Sequence, residues 1–218
     1  MKRRSSTRSQ ARRRLLRHRL LLQEKRLNRA GYKSIAGIDE AGRGPLAGPV
    51  VAGAVILKDF DLRTTVNDSK KLSSAQRERA YREILEKSVV GVGIVDEKTI
   101  DDINIYRATM KAMEIALANL SVPPDYILVD GNMKIRSRCG SRCIVSGDSK
   151  SLSIAAASIV AKVTRDRLMV EYDRVYPQYG FSRHKGYPTR AHKESLKAHG
   201  PSPIHRRSFR PVRDCLAK

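Results

Sequence analysis

A run of apolar residues, Ile35 to Ile38, ends in two adjacent carboxylates, Asp39 and Glu40, and a Gly-Arg-Gly turn follows at once. Beyond Pro45 a second apolar run extends from Val50 to Leu57. No other stretch restricts the fold as much. Two apolar runs of strand length, joined by a glycine-rich turn, belong in a buried sheet, yet the first run delivers two acids. Acids at the end of a buried strand cost free energy unless something positive meets them. Gly42 and Gly44 let the backbone turn tightly and approach another molecule. Arg43, between them, offers a planar fork for phosphate or carboxylate. Ile35–Gly44 is therefore the expected centre of a metal-dependent site, which the rest of the chain must complete.

The same motif of an apolar strand running into an acid recurs. The expected strands are Ser34–Asp39, Val50–Leu57, Val89–Val95, Tyr126–Val129 and Cys143–Val145. Val129 is followed by Asp130, and Val145-Ser146-Gly147 by Asp148. Between them lie expected helices. Ser73 caps one that runs to about Lys87, with Gln76 placed for a capping box. A second spans Lys98 to Leu120 with a break near Ile103, and Pro123 and Pro124 end it. A third runs from Ile154 to about Tyr172 and opens with small residues, Ala155 to Ser158, that permit close packing on a sheet. A short helix near Thr189–Ala198 follows in a His-, Arg-, Pro- and Gly-rich end. Strands first, then strands alternating with helices, predict an α/β domain with a mixed sheet.

Strand ends on one edge of an open α/β sheet converge, and ligands bind there. Asp39, Glu40, Asp130 and Asp148 can therefore meet. Clustered carboxylates repel unless cations neutralise them, and hard cations such as Mg²⁺ or Mn²⁺ prefer oxygen ligands. Two such ions about 3.5–4 Å apart can activate water and stabilise the leaving oxygen in phosphodiester cleavage. The competing reading makes each acid a cap for the turn or helix after its strand. Arg43, Lys70, Lys71, Ser149, Lys150, Lys162 and Arg165 lie close to these acids in the chain and suit a polyanionic substrate.

Charge points the same way. The net charge is +22 over 218 residues, with a sequence pI near 10.4. Such an excess implies nucleic acid or an anionic membrane surface as partner. Residues 1–30 hold twelve Lys and Arg against one acid, Glu24, a net +11 and half of the total. They form a basic arm: Met1 to Gln10 is expected to be disordered, and leucines among arginines from Ala11 to Asn28 suggest an amphipathic helix. That helix could lie on nucleic acid, on a membrane, or on the domain, with nucleic acid favoured. The globular domain is expected over 31–218. No run has the apolar length of a membrane span. Three cysteines, Cys139, Cys143 and Cys215, without a Cys-x-x-Cys pair, argue against a disulfide framework or zinc site and for a reducing cytoplasm.

Several ordered motifs together resemble the ribonuclease HII family, the type 2 ribonucleases H. They are Gly37-Ile38-Asp39-Glu40-Ala41-Gly42-Arg43-Gly44-Pro45, Asp68-Ser69-Lys70-Lys71-Leu72 and Val129-Asp130-Gly131. Gly147-Asp148-Ser149-Lys150 leads into Ser153 to Ile159, then Ala161 to Asp166. Tyr179-Gly180-Phe181, His184-Lys185-Gly186-Tyr187, His192, Gly200-Pro201 and His205-Arg206 complete the set, which spans Ile35 to about Phe209. The arm lies outside it.

The resemblance implies a ribonuclease H-like fold, a mixed central sheet flanked by helices, with a C-terminal helical extension. It implies an endonuclease that cleaves the RNA strand of RNA–DNA hybrids and nicks at single ribonucleotides embedded in duplex DNA, leaving 3′-hydroxyl and 5′-phosphate ends. It assigns the metals, two Mn²⁺ or Mg²⁺ ions, to Asp39, Glu40, Asp130 and Asp148. It assigns the substrate to Gly42, Arg43, Gly44 and Tyr187, to which Lys70, Ser149 and Lys150 are added from their places beside the acids in the chain. Gly42 to Gly44 would read the 2′-hydroxyl through backbone groups, and Tyr187 would pack on the sugar of the following nucleotide. A monomer working in DNA replication and ribonucleotide excision repair is expected, with a replication clamp as candidate partner and no membrane. The alternatives are a ribonuclease HIII-like enzyme and a non-catalytic basic nucleic-acid-binding protein. For the arm alone, the alternative is general nucleic-acid anchoring.

Overall fold

The structure is a computed structural model that describes residues 18–62, 64 and 72–217. Five strands form one sheet: β1 (Ile35–Ala41), β2 (Val50–Leu57), β3 (Ser88–Val95), β4 (Tyr126–Asp130) and β5 (Gly140–Ile144). Their order is β3-β2-β1-β4-β5. β1 pairs antiparallel with β2, and β2 with β3, while β4 and β5 add in parallel beyond β1. This is the mixed α/β sheet expected.

β2 is buried along its whole length, and its side chains alternate between two covered faces. Val50, Ala52, Ala54 and Ile56 pack against Ala108, Ala112, Met113 and Ala116. These belong to the helix Glu97–Ala118. Val55 and Leu57 pack on the opposite face against Ala155, Ala156, Ile159 and Val160, on the helix Leu152–Val175. In chain order the helices are α1 (Leu22–Arg29), α2 (Ser74–Lys87), α3 (Glu97–Ala118), α4 (Leu152–Val175), α5 (Phe181–His184), α6 (Arg190–His199) and α7 (Arg210–Leu216).

The local signals for helix ends hold. Ser73 and Gln76 form the capping box that opens α2. The break in α3 falls at Asn104, where φ is 66° and the side chain accepts from the N–H groups of Tyr106 and Arg107. An asparagine tolerates this left-handed φ and caps the next turn itself. Close packing of α4 on the sheet depends on glycine. A β-carbon on Gly37 would lie 2.1 Å from the Ser153 carbonyl carbon, so α4 sits directly on the backbone of β1.

Two expectations shift. β1 does not stop at Asp39 but runs on to Ala41, because β2 continues to pair with it: Asp39 opposes Gly53 and Glu40 opposes Ala52. The last strand lies earlier than Cys143–Val145, at Gly140–Ile144. It is an edge strand whose first three residues are exposed, so it carries no apolar run.

The end of the basic arm packs on the domain. Leu20 and Leu21 join the cluster under α4. Glu24 is 1% exposed, and its Oε1 accepts from the Ser151 hydroxyl, the Ser153 N–H and the Ser153 hydroxyl. Of the three resting places considered for the arm's helix, these residues take the domain surface. The expectations for residues 1–17, and for Lys70 and Lys71, lie outside the described residues.

Candidate active site

Strand register brings the first acids together. In the parallel pair of β1 and β4, Ile38 lies opposite Val129, so the next residues, Asp39 and Asp130, emerge side by side. β4 ends at Asp130. Beyond β5 the chain makes a left-handed turn at Ser146, φ 55°, into a short 3₁₀ turn, Gly147–Ser149. The Gly147 N–H donates to Asp130 Oδ1 at 2.6 Å. Asp130 thus moors the turn that carries Asp148.

An open cleft of about 230 Å³ gathers the outcome. It is lined by Asp39, Glu40, Asp130 and Asp148, by Ala41 to Gly44, and by Ser158, Lys162 and Tyr187. All four acids singled out from sequence line it, as do Gly42, Arg43, Gly44 and Tyr187. Ser149 and Lys150 stand outside the lining: the Ser149 hydroxyl donates to the Ser146 carbonyl, and Lys150 Nζ to the Val145 carbonyl.

Asp39 and Glu40 are held at electrostatic cost. Burial, then Glu40 and Asp130, push the Asp39 carboxyl well above the ordinary carboxylate range, and a Ser158 hydrogen bond offsets part of this. Burial also raises Glu40, while Arg43, 3.4 Å away, lowers it. Cofactor fit follows from this donor set: crowded, partly buried oxygens that repel each other are the ligands a hard divalent cation prefers. The oxygens are presently turned to other partners. Asp39 Oδ1 accepts from the Glu40 N–H at 2.7 Å, and Asp130 from Gly147. Among the described residues no three acidic, His or Cys side chains close on one point as they stand.

The Gly-Arg-Gly turn is fixed from behind by two buried arginines. Arg206 donates from Nη2 to the Gly42 and Gly48 carbonyls, each at 2.6 Å, from Nη1 to the Arg43 carbonyl at 3.1 Å, and from Nε to Gly48 at 2.9 Å. Arg165 donates to the carbonyls of Pro49, Ala47 and Lys185. Five N–H donors in a rigid fork suit this gathering of carbonyls, and a lysine could not reproduce it. The sequence reading placed Arg165 among cations facing a polyanion. At 1% exposure it serves the loop instead. Lys162, one turn earlier, does line the cleft and pairs with Asp166 at 2.6 Å.

A family model described as Ribonuclease HII matches residues 36–212. This chain belongs to the ribonuclease HII family. A Ribonuclease HII of Geobacter sulfurreducens is 55% identical over 196 residues, 89% of this chain and 90% of that one. Among solved structures, the ribonuclease H2 from Pyrococcus horikoshii OT3 superposes with a TM-score of 0.72 at 28% identity, covering 84% of this chain and 97% of that one. The PCNA:RNase HII complex from Archaeoglobus fulgidus contains a chain that matches with a TM-score of 0.70 at 30% identity, covering 81% and 95%. The fold is thus the ribonuclease H-like fold. As a ribonuclease HII family member the chain is a ribonuclease H, an endoribonuclease acting on RNA–DNA hybrids. The ribonuclease HIII and non-catalytic alternatives give way to it.

Ser158 is expected from sequence only as a small packing residue, and Arg206 has no expected role; in the fold both serve the site. A signal existed for Ser158. Ser158, Lys162, Arg165 and Met169 recur at helical spacing, so they share the face of α4 turned to the site. Arg206 carried no such sign, because its partners lie about 160 residues away.

Proposed function

We propose that this ribonuclease H nicks duplex DNA at single embedded ribonucleotides as well as cutting RNA–DNA hybrids, and that both reactions use the one cleft. The observation that carries this reading is the lining itself: four carboxylates, the Gly-Arg-Gly turn and Tyr187 share about 230 Å³. A 2′-hydroxyl is what distinguishes RNA from DNA at a given site. A tight turn with accessible backbone groups beside the carboxylates suits its recognition at the sugar next to the cut. Tyr187, 42% exposed across from Gly44, offers a flat face to the following sugar.

Asp39, Glu40, Asp130 and Asp148 would hold two divalent cations, Mn²⁺ or Mg²⁺. When bound, these supply an activated water and charge neutralisation for phosphodiester hydrolysis, giving 3′-hydroxyl and 5′-phosphate ends. Arg43 and Lys162 bring positive charge to the approaching phosphates. Ser149 and Lys150 would meet the strand outside the cleft, and Lys70 would add a further contact to the substrate. The basic arm adds attraction that carries no sequence information. The relative solved with PCNA supports a replication clamp as a candidate partner. Action as a monomer in the cytoplasm, in ribonucleotide removal during replication and repair, completes the reading. No helix among the described residues is long and apolar enough to cross a membrane.

The test is a duplex with one ribonucleotide, incubated with Mn²⁺ or Mg²⁺. A single nick is expected, and Asp39→Asn or Asp130→Asn should abolish it. Cutting of hybrids alone would refute the embedded-ribonucleotide claim. Equal cutting by the variants would refute the assignment of the acids.

A further inference from the structure

Two buried histidines, His192 and His205, form a continuous hydrogen-bonded chain that ends on Tyr187. His192 and His205 are at most 1% exposed. Their Nε2 atoms are 3.0 Å apart. His205 Nδ1 lies 2.9 Å from the Ser202 N–H, and His192 Nδ1 lies 2.9 Å from the Tyr187 carbonyl. These partners dictate the protons. A backbone N–H can only donate, so His205 Nδ1 accepts and its proton sits on Nε2. That proton is donated to His192 Nε2, which leaves the His192 proton on Nδ1, directed at the Tyr187 carbonyl. Burial pushes both imidazoles below their ordinary range, His205 to about 4 with His192 as the next cause. Both are neutral at neutral pH, as the chain of donors requires.

The segment that supplies His205 also supplies Arg206, which grips the Gly42, Arg43 and Gly48 carbonyls. Between them the backbone is tied as well. Gly48 N–H donates to Ile204, Arg206 N–H to Leu46, and Leu46 N–H to Gly186. An isolated bridge joins Ala47 to His205. Adjacent residues of one segment thus reach the two walls of the cleft, one through Tyr187 and the other through the Gly-Arg-Gly turn.

We propose that residues 202–206 together with His192 act as a spacer that sets the gap between Gly44 and Tyr187, making His192 and His205 positioning residues for the choice of a ribonucleotide followed by a deoxyribonucleotide. This rests on the reading of Tyr187 and the turn given above. A hybrid offers no deoxyribose after the cut ribonucleotide, so a misplaced Tyr187 penalises it less.

The test compares two substrates, a duplex with one embedded ribonucleotide and an uninterrupted RNA–DNA hybrid. His192→Ala is expected to lower kcat/KM on the first by about tenfold more than on the second. His192→Asn keeps an N–H where Nδ1–H stood and is expected to hold the wild-type ratio to within about threefold. Imidazole ¹⁵N spectra of the wild-type protein, independent of activity, should show His192 protonated at Nδ1 and His205 at Nε2. Equal losses on both substrates in His192→Ala, or the opposite tautomers, overturn the spacer. Wild-type protein that cuts the hybrid but not the embedded ribonucleotide overturns the functional reading instead, and the spectra still report on the relay.

Discussion

Gly44 and Tyr187 face one another across the cleft: a β-carbon on Gly44 would lie 3.8 Å from Cε1 of the tyrosine. That is ordinary contact distance, so a methyl group fits there and narrows the gap. Two residues earlier the situation is opposite. Gly42 has φ +100°, and its β-carbon would lie 2.2 Å from Arg165 Nε. Gly44→Ala should leave the melting temperature unchanged and reduce cleavage by about tenfold through displaced substrate. Gly42→Ala should cost about 1–3 kcal/mol of stability from left-handed strain and the displaced arginine. Thermal melts beside cleavage assays on both variants separate the two effects.

Asp39 titrates with a raised pKa in the folded protein, so the sign of its contribution is set. Between the ordinary carboxylate value and the raised one, the folded protein holds a proton that the unfolded chain has released. Stability of the metal-free protein therefore falls as pH rises through that window. Glu40 acts in the same direction. Asp39→Asn should raise the melting temperature of metal-free protein at neutral pH while abolishing cleavage. Added Mn²⁺ should stabilise the wild type more than the variant. A variant less stable than wild type without metal would contradict this.

Arg206 places four hydrogen bonds on three carbonyls from a buried position. Lysine cannot fork to them, and carbonyls left unpaired cost about 1–3 kcal/mol each. Arg206→Lys should destabilise the fold by about 2–4 kcal/mol, read by denaturant unfolding. Because the turn is released, cleavage should fall even at temperatures where the variant remains folded.

Glu24 divides the arm into two parts with different roles. Leu20, Leu21 and Glu24 are buried on the domain, so deletion of residues 1–30 would remove structural contacts along with charge. Removing residues 1–17 takes away eight Lys and Arg and no acid. That deletion should weaken duplex binding and flatten its salt dependence by about 0.9 in log–log slope per lost phosphate contact. The position of cleavage should not change. Glu24→Ala should instead lower stability by about 1–3 kcal/mol, since the Ser151 and Ser153 donors lose their acceptor. Binding titrations over a range of salt, with melts of both variants, check the division.

Much of this protein was legible one segment at a time. The boundaries of β2 and α2, the capping box at Ser73 and the break in α3 follow from interactions within a few residues, which sequence records directly, and the four acids stand out by the apolar runs before them. So does the Gly-Arg-Gly turn. The edge strand Gly140–Ile144 was displaced in the reading because an exposed edge has no need of an apolar run. What only the tertiary structure decided involves partners far apart in the chain. The parallel register of β1 and β4 puts Asp39 beside Asp130. Glu24 meets α4 across 127 or more positions. Arg165, expected to face a polyanion, is buried instead, because three carbonyls distant in the chain hold it. A guanidinium looks the same in sequence whether it meets phosphate or the protein's own carbonyls. Burial and hydrogen bonding, both products of the folded chain, determine which it does.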